Sequence, residues 1–410
     1  MNGYFKEHKK RKIYIFFITL CSFIFVVAIL KNVYFSINTL CVQAEEVSSE
    51  ITTEKELNDM IQDQMGKLDL KALEEYINSL GDLSDKSVGE RLLDYIKGKE
   101  FDYSGFGKQI VDVLFENVKK ILPAFTCITA VTLLSGLIST LKSGANGQTS
   151  AEMIFLVTYA AALIPILGVL TECFKESLQS ISAMQKQMQI VFPLLLTLMA
   201  ASGGTLSAAV CRPAVAFFCT SIMSVIHSVV FPITITIIVF SMAGNLTKEL
   251  KISRFTAFFK SINKWLIGIC ISVFGLFFTL QGITSATYDG IVRRAAKYAI
   301  GNGIPIVGGF LSGGFDLAVA GSVLIKNALG SMSIFLMIYV IFEPLILLIS
   351  VNLLLRLTSA ITQPFGDSRI SDFLGETADN LHYCTAGLLF TAFLYFLAIM
   401  VMVCASEALF

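Results

Sequence analysis

Apolar residues in this chain come in long runs, not in the alternation of a half-buried strand. After a basic start (Lys6, Lys9, Lys10, Arg11 and Lys12) an apolar run extends from Ile13 to Leu30. Eight further segments follow: Ile121–Leu141, Glu152–Thr171, Ile190–Val210, Ala214–Leu246, Trp265–Thr287, Ile304–Ile325, Ser331–Leu355 and Thr385–Ala405. Each approaches or exceeds the roughly 20 residues that a helix needs to cross hydrocarbon. Ile304–Ile325 is the weakest, being Gly-rich and carrying Asp316. Ala214–Leu246 is too long for one straight crossing, and its Pro232 predicts a break or kink. Three connectors, Glu172–Gln189, Lys248–Lys264 and Leu357–His382, mix charged and apolar positions in the manner of helices lying in the membrane interface. The pattern predicts an all-α polytopic membrane protein with six to eight transmembrane helices.

Composition agrees. Of 410 residues, 55% are hydrophobic and only 15% charged, where a soluble domain carries about 25% charged residues. These figures exclude a disordered chain and a disulfide-dense secreted scaffold. The N-terminus, residues 1–44, reads as a signal peptide: a basic n-region, an apolar core, then Val42-Gln43-Ala44 ahead of Glu45. An uncleaved signal anchor is the alternative, because Ile13–Leu30 is just long enough to span. Either way the following segment, 45–120, crosses the membrane. Between Glu45 and Lys108 it holds 16 acidic and 8 basic side chains, and Met60, Ile61, Met65, Leu68, Leu73, Tyr76 and Ile77 recur at helical steps. It is expected to form a small helical extracytoplasmic segment. Residues 121–189 hold the first two spans and a connector.

The net charge of zero conceals a further pattern. With eight crossings, basic residues in short connectors divide almost equally between the two sides, so the positive-inside rule does not decide orientation. Internal symmetry offers a reason. Phe192-Pro193, Ser202-Gly203-Gly204 and Val230-Phe231-Pro232 are matched by Ile304-Pro305, Ser312-Gly313-Gly314 and Phe342-Glu343-Pro344, at offsets of 112, 110 and 112 residues. Residues 190–287 and 304–405 would form two three-helix repeats, the second inverted, as in many transporters.

Signatures of catalysis are lacking. There is no Walker loop, HExxH, CxxC pair or GxSxG elbow, and the nine cysteines show no metal-ligand spacing. No enzymatic activity, cofactor or metal is expected, and no basic stretch interleaved with aromatics suggests nucleic acid. Glu343, next to Pro344 within an apolar run, and Asp316 are the candidates for an intramembrane polar pathway, since ionisable groups at that depth face a cavity or a partner. Local pairing or the capping of a broken helix competes with that reading. Gly203, Gly204, Gly309, Gly313 and Gly314 are candidates for close helix packing, and Pro232 and Pro344 for helix breaks.

Ala200-Ala201-Ser202-Gly203-Gly204 and the stretch Ala295–Gly330 resemble the stage III sporulation protein AE family of endospore-forming bacteria. The resemblance implies a membrane subunit of the channel-like stage III A complex that links mother cell and forespore and supports late forespore development. It implies residence in the mother-cell-derived outer forespore membrane. The implied partners are other stage III sporulation A-operon proteins, including a secretion-type ATPase, and indirectly stage II sporulation protein Q. It carries no catalytic residues with it. A self-contained secondary transporter, with Glu343 and Asp316 at its site, and a passive membrane scaffold are the alternatives.

Overall fold

The computed structural model describes residues 51–80, 87–96, 106–142, 148–202, 205–246, 252–277, 308–364 and 368–404. The Ala44–Glu45 junction and Gly203 and Gly204 lie outside them. The chain forms two compact units, 1–62 and 63–410. Within the first, the described residues are the opening turns of α1 (Ile51–Lys67), whose last turn belongs to the second unit. That unit continues with α2 (Lys71–Ser79), α3 (Val88–Ile96), α4 (Phe106–Lys142), α5 (Gln148–Ala201) and α6 (Thr205–Val225). A π-helical turn at Ile226–Val230 leads into α7 (Phe231–Leu246). Then come α8 (Ser253–Phe277), α9 (Gly308–Thr362) and α10 (Ser368–Cys404). No strand occurs among the described residues.

Among the described residues, six helices are long and apolar enough to cross a membrane: α4, α5, the continuous α6–α7, α8, α9 and α10. The six come from merging the predicted segments. Glu152–Thr171, the connector Glu172–Gln189 and most of Ile190–Val210 form a single 54-residue helix, α5. Ser331–Leu355 and the described part of Ile304–Ile325 share the 55-residue α9. The connector beginning at Leu357 supplies the end of α9 and the start of α10, and Ser253–Lys264 is the start of α8. At 1.5 Å per residue, α5 and α9 are each about 80 Å long. The end of the predicted exported segment likewise belongs to a span, because α4 already begins at Phe106.

Interhelical hydrogen bonds explain why the middle connector of α5 is not a surface helix. Ser177, Ser180 and Gln187 are buried with Ile181, Met184 and Met188 along one stripe. Gln187 Nε2 donates to the Ser333 carbonyl of α9 at 2.8 Å, and Ser180 Oγ to the Val340 carbonyl at 2.9 Å. The second bond repairs a specific defect. Pro344 lies inside α9 and has no N–H, so the carbonyl four residues back, Val340, loses its intrahelical donor. Ser180 replaces that donor and α9 runs on unbroken, so Pro344 is not a break. Pro232 differs: the π turn immediately before it widens the helix where the proline removes a hydrogen bond.

Antiparallel contacts order the bundle. α9 and α10 form a hairpin, pinned by Ser359 Oγ on the Ser371 carbonyl, Asn352 Nδ2 on Ala378 O and Lys326 Nζ on Val403 O. Lys326 is fully buried, and the carbonyl it caps is in the last turn of α10. Gly330 permits the close approach there, since a Cβ would lie 2.5 Å from Val403 Cγ2. α7 also runs against α10, with Ser241 bonded to Glu376 and Phe231 over Gly387. The helices carrying Pro232 and Pro344 therefore point the same way. An inverted repeat needs them opposed, so the inverted arrangement does not hold for this pair of segments.

The short helices use local signals and tertiary cover. Ser87 and Glu90 form a capping box, each side chain meeting the other's backbone N–H at 3.3 and 3.2 Å. This starts the nine-residue α3, which would be too short to persist alone. Leu73, Tyr76 and Ile77 of α2 and Val88 and Leu92 of α3 are buried. Tyr76 donates to the Ala183 carbonyl of α5, and its burial raises the phenol's pKa.

Ser180→Ala should therefore lower stability by roughly 1–3 kcal/mol, the cost of a buried carbonyl left unpaired. Adding Pro344→Ala, which returns the intrahelical donor, should recover most of that loss. Thermal unfolding of the detergent-purified protein measures the coupling between the two changes.

Candidate functional site

Large exposed apolar side chains on α5 and α9 gather at one level, a belt on this side of the bundle. On α5 the exposed ones are Met153, Leu156, Val157, Ile164 and Leu167, and none follows Leu167 on that helix. On α9 they are Tyr339 and then Ile349, Leu353, Leu357 and Ile361. The two sets lie at one level, because α5 and α9 run antiparallel through Ser180–Val340 and Gln187–Ser333. From Met153 to Thr171 the belt is about 27 Å tall, close to the hydrocarbon thickness of about 30 Å.

Charges mark one edge of the belt. Lys120 of α4 pairs with Glu172 of α5 at 2.5 Å, and Glu176 and Glu343 lie near enough to act on the same ammonium group. Glu343 is exposed in this cluster. Beyond the edge, α5 presents Lys175, Gln179, Lys186 and Gln189, while residues 318–338 of α9 have no exposed position. That enclosed stretch packs against α5, the end of α10 and α3, with Gln64 of α1 donating to Ala318 O. The long helices thus have a lipid-facing half and a half sheathed by protein and polar groups.

Inside the belt, one surface breaks the apolar pattern. α10 exposes Asp372, Glu376 and Asp379 at i, i+4 and i+7, one helical face. Arg356 of α9 bridges to this face: Nη2 is 2.7 Å from Asp379 Oδ1 and 2.9 Å from His382 Nε2, and Nε donates to Asn352 Oδ1 at 3.0 Å. A guanidinium only donates, so Nε2 of His382 accepts and its proton resides on Nδ1. On the other flank Glu376 accepts from Ser241 Oγ and from Asn245 Nδ2 of α7. At the same depth α9 shows Leu353 and Leu357, and α7 shows Ile235 and Val239.

The side chains of Arg356 and Asp379 are 42% and 50% exposed. Half-exposed charges level with exposed leucines and isoleucines would be costly against lipid, and such groups face water or another protein surface. We treat this seam between α7, α9 and α10 as the candidate site. Among the described residues no cluster of His, Cys, Asp and Glu is placed to hold a metal ion.

The predicted polar residues are not brought together. Glu343 and Asp316 lie 27 residues apart on the unbroken α9, about 40 Å along its axis. They do not share a site, and Glu343 belongs to the charged edge. Gly309, Gly313 and Gly314 fall within the first turns of α9. The seam residues Arg356, Glu376, Asp379 and His382 were hidden in the connector Leu357–His382 and at its border, where charge was read as interfacial. Their i, i+4, i+7 spacing with Asp372 was the available signal.

Fold and seam together define a polytopic helical membrane protein with a charged seam between three of its helices. The family model for stage III sporulation protein AE matches residues 87–406, and the chain belongs to that family. It is similar to stage III sporulation protein AE of Bacillus subtilis (strain 168), with 24% identity over 328 residues, covering 80% of this chain and 82% of the relative. No solved structure matches it. It is thus a sporulation protein of the stage III class, embedded in a membrane.

Arg356→Leu should leave Asp379 unpaired at belt depth and reduce the amount of folded protein. Removing both charges, with Arg356→Leu and Asp379→Leu, should restore accumulation, since apolar replacement of an ion pair is often tolerated. Quantitative blotting of membrane fractions, with fluorescence-detected size exclusion, distinguishes the two.

Proposed function

We propose that this chain is a membrane subunit of the stage III sporulation A complex that links mother cell and forespore, and that its α7–α9–α10 seam faces the complex's aqueous conduit. The observation that carries this reading is the Arg356–Asp379 pair with Glu376, half exposed at a depth where neighbouring helices expose leucine and isoleucine. The conduit needs a chain that spans the bilayer and presents charge within it. No Walker loop is present, so a separate secretion-type ATPase from the same operon supplies the energy. The remaining partners are the other stage III A proteins and, from the forespore side, stage II sporulation protein Q.

Orientation follows from the exported segment. Signal cleavage after Ala44 releases an acidic segment into the space between the forespore membranes. α2 packs beside Ala183 of α5, so that end of the bundle faces the intermembrane space. The opposite end, where α4 meets α5, α7 meets α8 and α9 meets α10, faces the mother cell. In sequence, Lys142, Lys248, Lys251, Arg254 and Arg369 stand in or beside those connections, whereas Arg293, Arg294 and Lys297 lie between α8 and α9. Lys175 and Lys186 of α5 also lie toward the α2 end, so the orientation rests on the exported segment and not on the basic residues. A self-contained transporter using Glu343 and Asp316 together is disfavoured by their separation along α9.

Reporter fusions at Ala145 and Asp367 should both report the mother-cell cytoplasm, while a fusion after Phe410 reports the opposite side. In membranes from sporulating cells, Glu376→Cys should react with a charged, membrane-impermeant thiol reagent, whereas Leu353→Cys should resist it. Equal protection of both cysteines would remove the conduit reading.

A further inference from the structure

Two buried side chains in the sheathed half of the bundle carry hydrogen-bonding capacity that no described residue uses. Gln187 of α5 and Tyr395 of α10 are both 0% exposed. Among the described residues, Gln187 Oε1 and the Tyr395 hydroxyl have no partner. Nearly every buried polar group in a folded protein is paired, so each such case requires a reason.

Register brings the two together. Gln187 Nε2 donates to the Ser333 carbonyl at 2.8 Å, which holds Gln187 beside Ser333 of α9. The bond from Lys326 Nζ to the Val403 carbonyl sets α9 against α10. Ser333 stands seven residues after Lys326 and Tyr395 eight before Val403, so antiparallel packing puts them at one level. The Tyr395 phenol accordingly lies beside Ser333 and within electrostatic reach of Tyr76. Tyr76 arrives from α2, and its hydroxyl donates to the Ala183 carbonyl, one turn before Gln187. Four helices, α2, α5, α9 and α10, meet around these atoms. Their level is about 22 Å along α5 from Glu172 at the charged edge of the belt.

Donors and acceptors at this junction define what fits it. A carbonyl only accepts, so the bond to Ser333 O fixes which end of the Gln187 amide is nitrogen and leaves Oε1 as an acceptor. Ser333 Oγ gives its proton to the Leu329 carbonyl at 2.6 Å, and Tyr76 gives its own to Ala183. Both hydroxyl oxygens keep lone pairs. Tyr395 alone still has a proton to donate. The junction therefore offers one donor and three acceptors. Its ligand must accept one hydrogen bond and donate two. A metal cation has no proton to give, an ammonium ion has no lone pair, and a halide only accepts. Water does both.

We infer that one water molecule is bound here as a fixed part of the structure, accepting from the Tyr395 hydroxyl and donating to Gln187 Oε1 and Ser333 Oγ. Buried waters typically make about three hydrogen bonds and are costly to remove. This one ties α10 to α5 and α9 at a level where Tyr395 otherwise contributes only apolar contact, such as its stacking on Phe192 with centroids 6.2 Å apart. Tyr76 anchors α2 beside it, so the short helices rest on a hydrated junction of the long ones. The inference concerns the interior of the bundle and stands apart from the conduit reading.

X-ray radiolytic labelling of the full-length protein in lipid nanodiscs tests it, because a bound water irradiated in place hydroxylates the side chain it touches. Tyr395 should gain an oxygen, whereas Tyr159 should not. Tyr159 is also buried, but its hydroxyl bonds the Met242 carbonyl directly at 2.7 Å. Gln187→Met removes an acceptor and should reduce the Tyr395 label several-fold. No label on Tyr395 overturns the inference, and so does equal labelling of the two tyrosines, which reports a bundle open to solvent. A Tyr395 label that persists undiminished in Gln187→Met overturns the role of Gln187. The unsubstituted protein decides the main question even where that variant fails to accumulate. Thermal unfolding supplies a second reading. Tyr395→Phe should lower the midpoint by a few degrees if the phenol is bridged by water, since an unpaired buried hydroxyl is lost without cost. A midpoint unchanged or raised overturns the inference.

Discussion

The pairing of α5 with α9 is the contact on which the bundle depends. Both helices are nearly three times as long as the hydrocarbon is thick, and both carry polar side chains near their midpoints. Such helices are stable in a membrane only if those side chains find partners away from lipid. Ser180 and Gln187 do so by bonding to the backbone of α9, one of them to a carbonyl that a proline had left without a donor. The bonds also set the register. Once Ser180 meets Val340, the apolar surfaces of the two helices fall at one level and the remaining halves extend together on one side of the belt. α2 and α3 then gain a platform, because Ala183 lies beyond the belt where Tyr76 can reach it.

Register in turn positions charge. α10 is tied to α9 by Asn352, Ser359 and Lys326 at three points along the hairpin. Those ties place Asp379 opposite Arg356 and leave Glu376 facing α7. The seam is a consequence of packing elsewhere: the other side of α10, with Leu381, Cys384 and Leu388, is fully buried in the core. A helix with one face committed to an apolar core and the opposite face acidic has two places to direct its charges, water or another protein.

Much of this was legible in the order of residues, and the misreadings have a common cause. The membrane class, the helical content and the short acidic helices followed from apolar run length and from periodicity. Glu172–Gln189 was misjudged because hydropathy treats a serine or glutamine as a mark of water, whereas between two membrane helices each is a source of hydrogen bonds. Glu343 drew attention for its proline neighbour and its depth in an apolar run, yet that run is part of a helix much longer than the bilayer, and the residue emerges at the belt's edge. Arg356, Asp379 and His382 were overlooked for the converse reason. Their density of charge made the segment look interfacial, and only the hairpin geometry shows that Asp379 shares a level with Leu353 and Leu357. The inverted repeat failed on direction, which matched letters do not encode.

Charge balance acquires a structural meaning once the helices number six. Eight crossings scattered the basic residues evenly over both sides, and the equality itself seemed to call for inverted symmetry. Merging the predicted segments changes which connectors share a side. Lys142 and Arg369 then stand near helix ends away from α2 and α3, and Lys248 and Lys251 fall in sequence between α7 and α8. The net charge of zero thus sums 31 basic and 31 acidic side chains, and within the seam Arg356 and Asp379 balance each other directly.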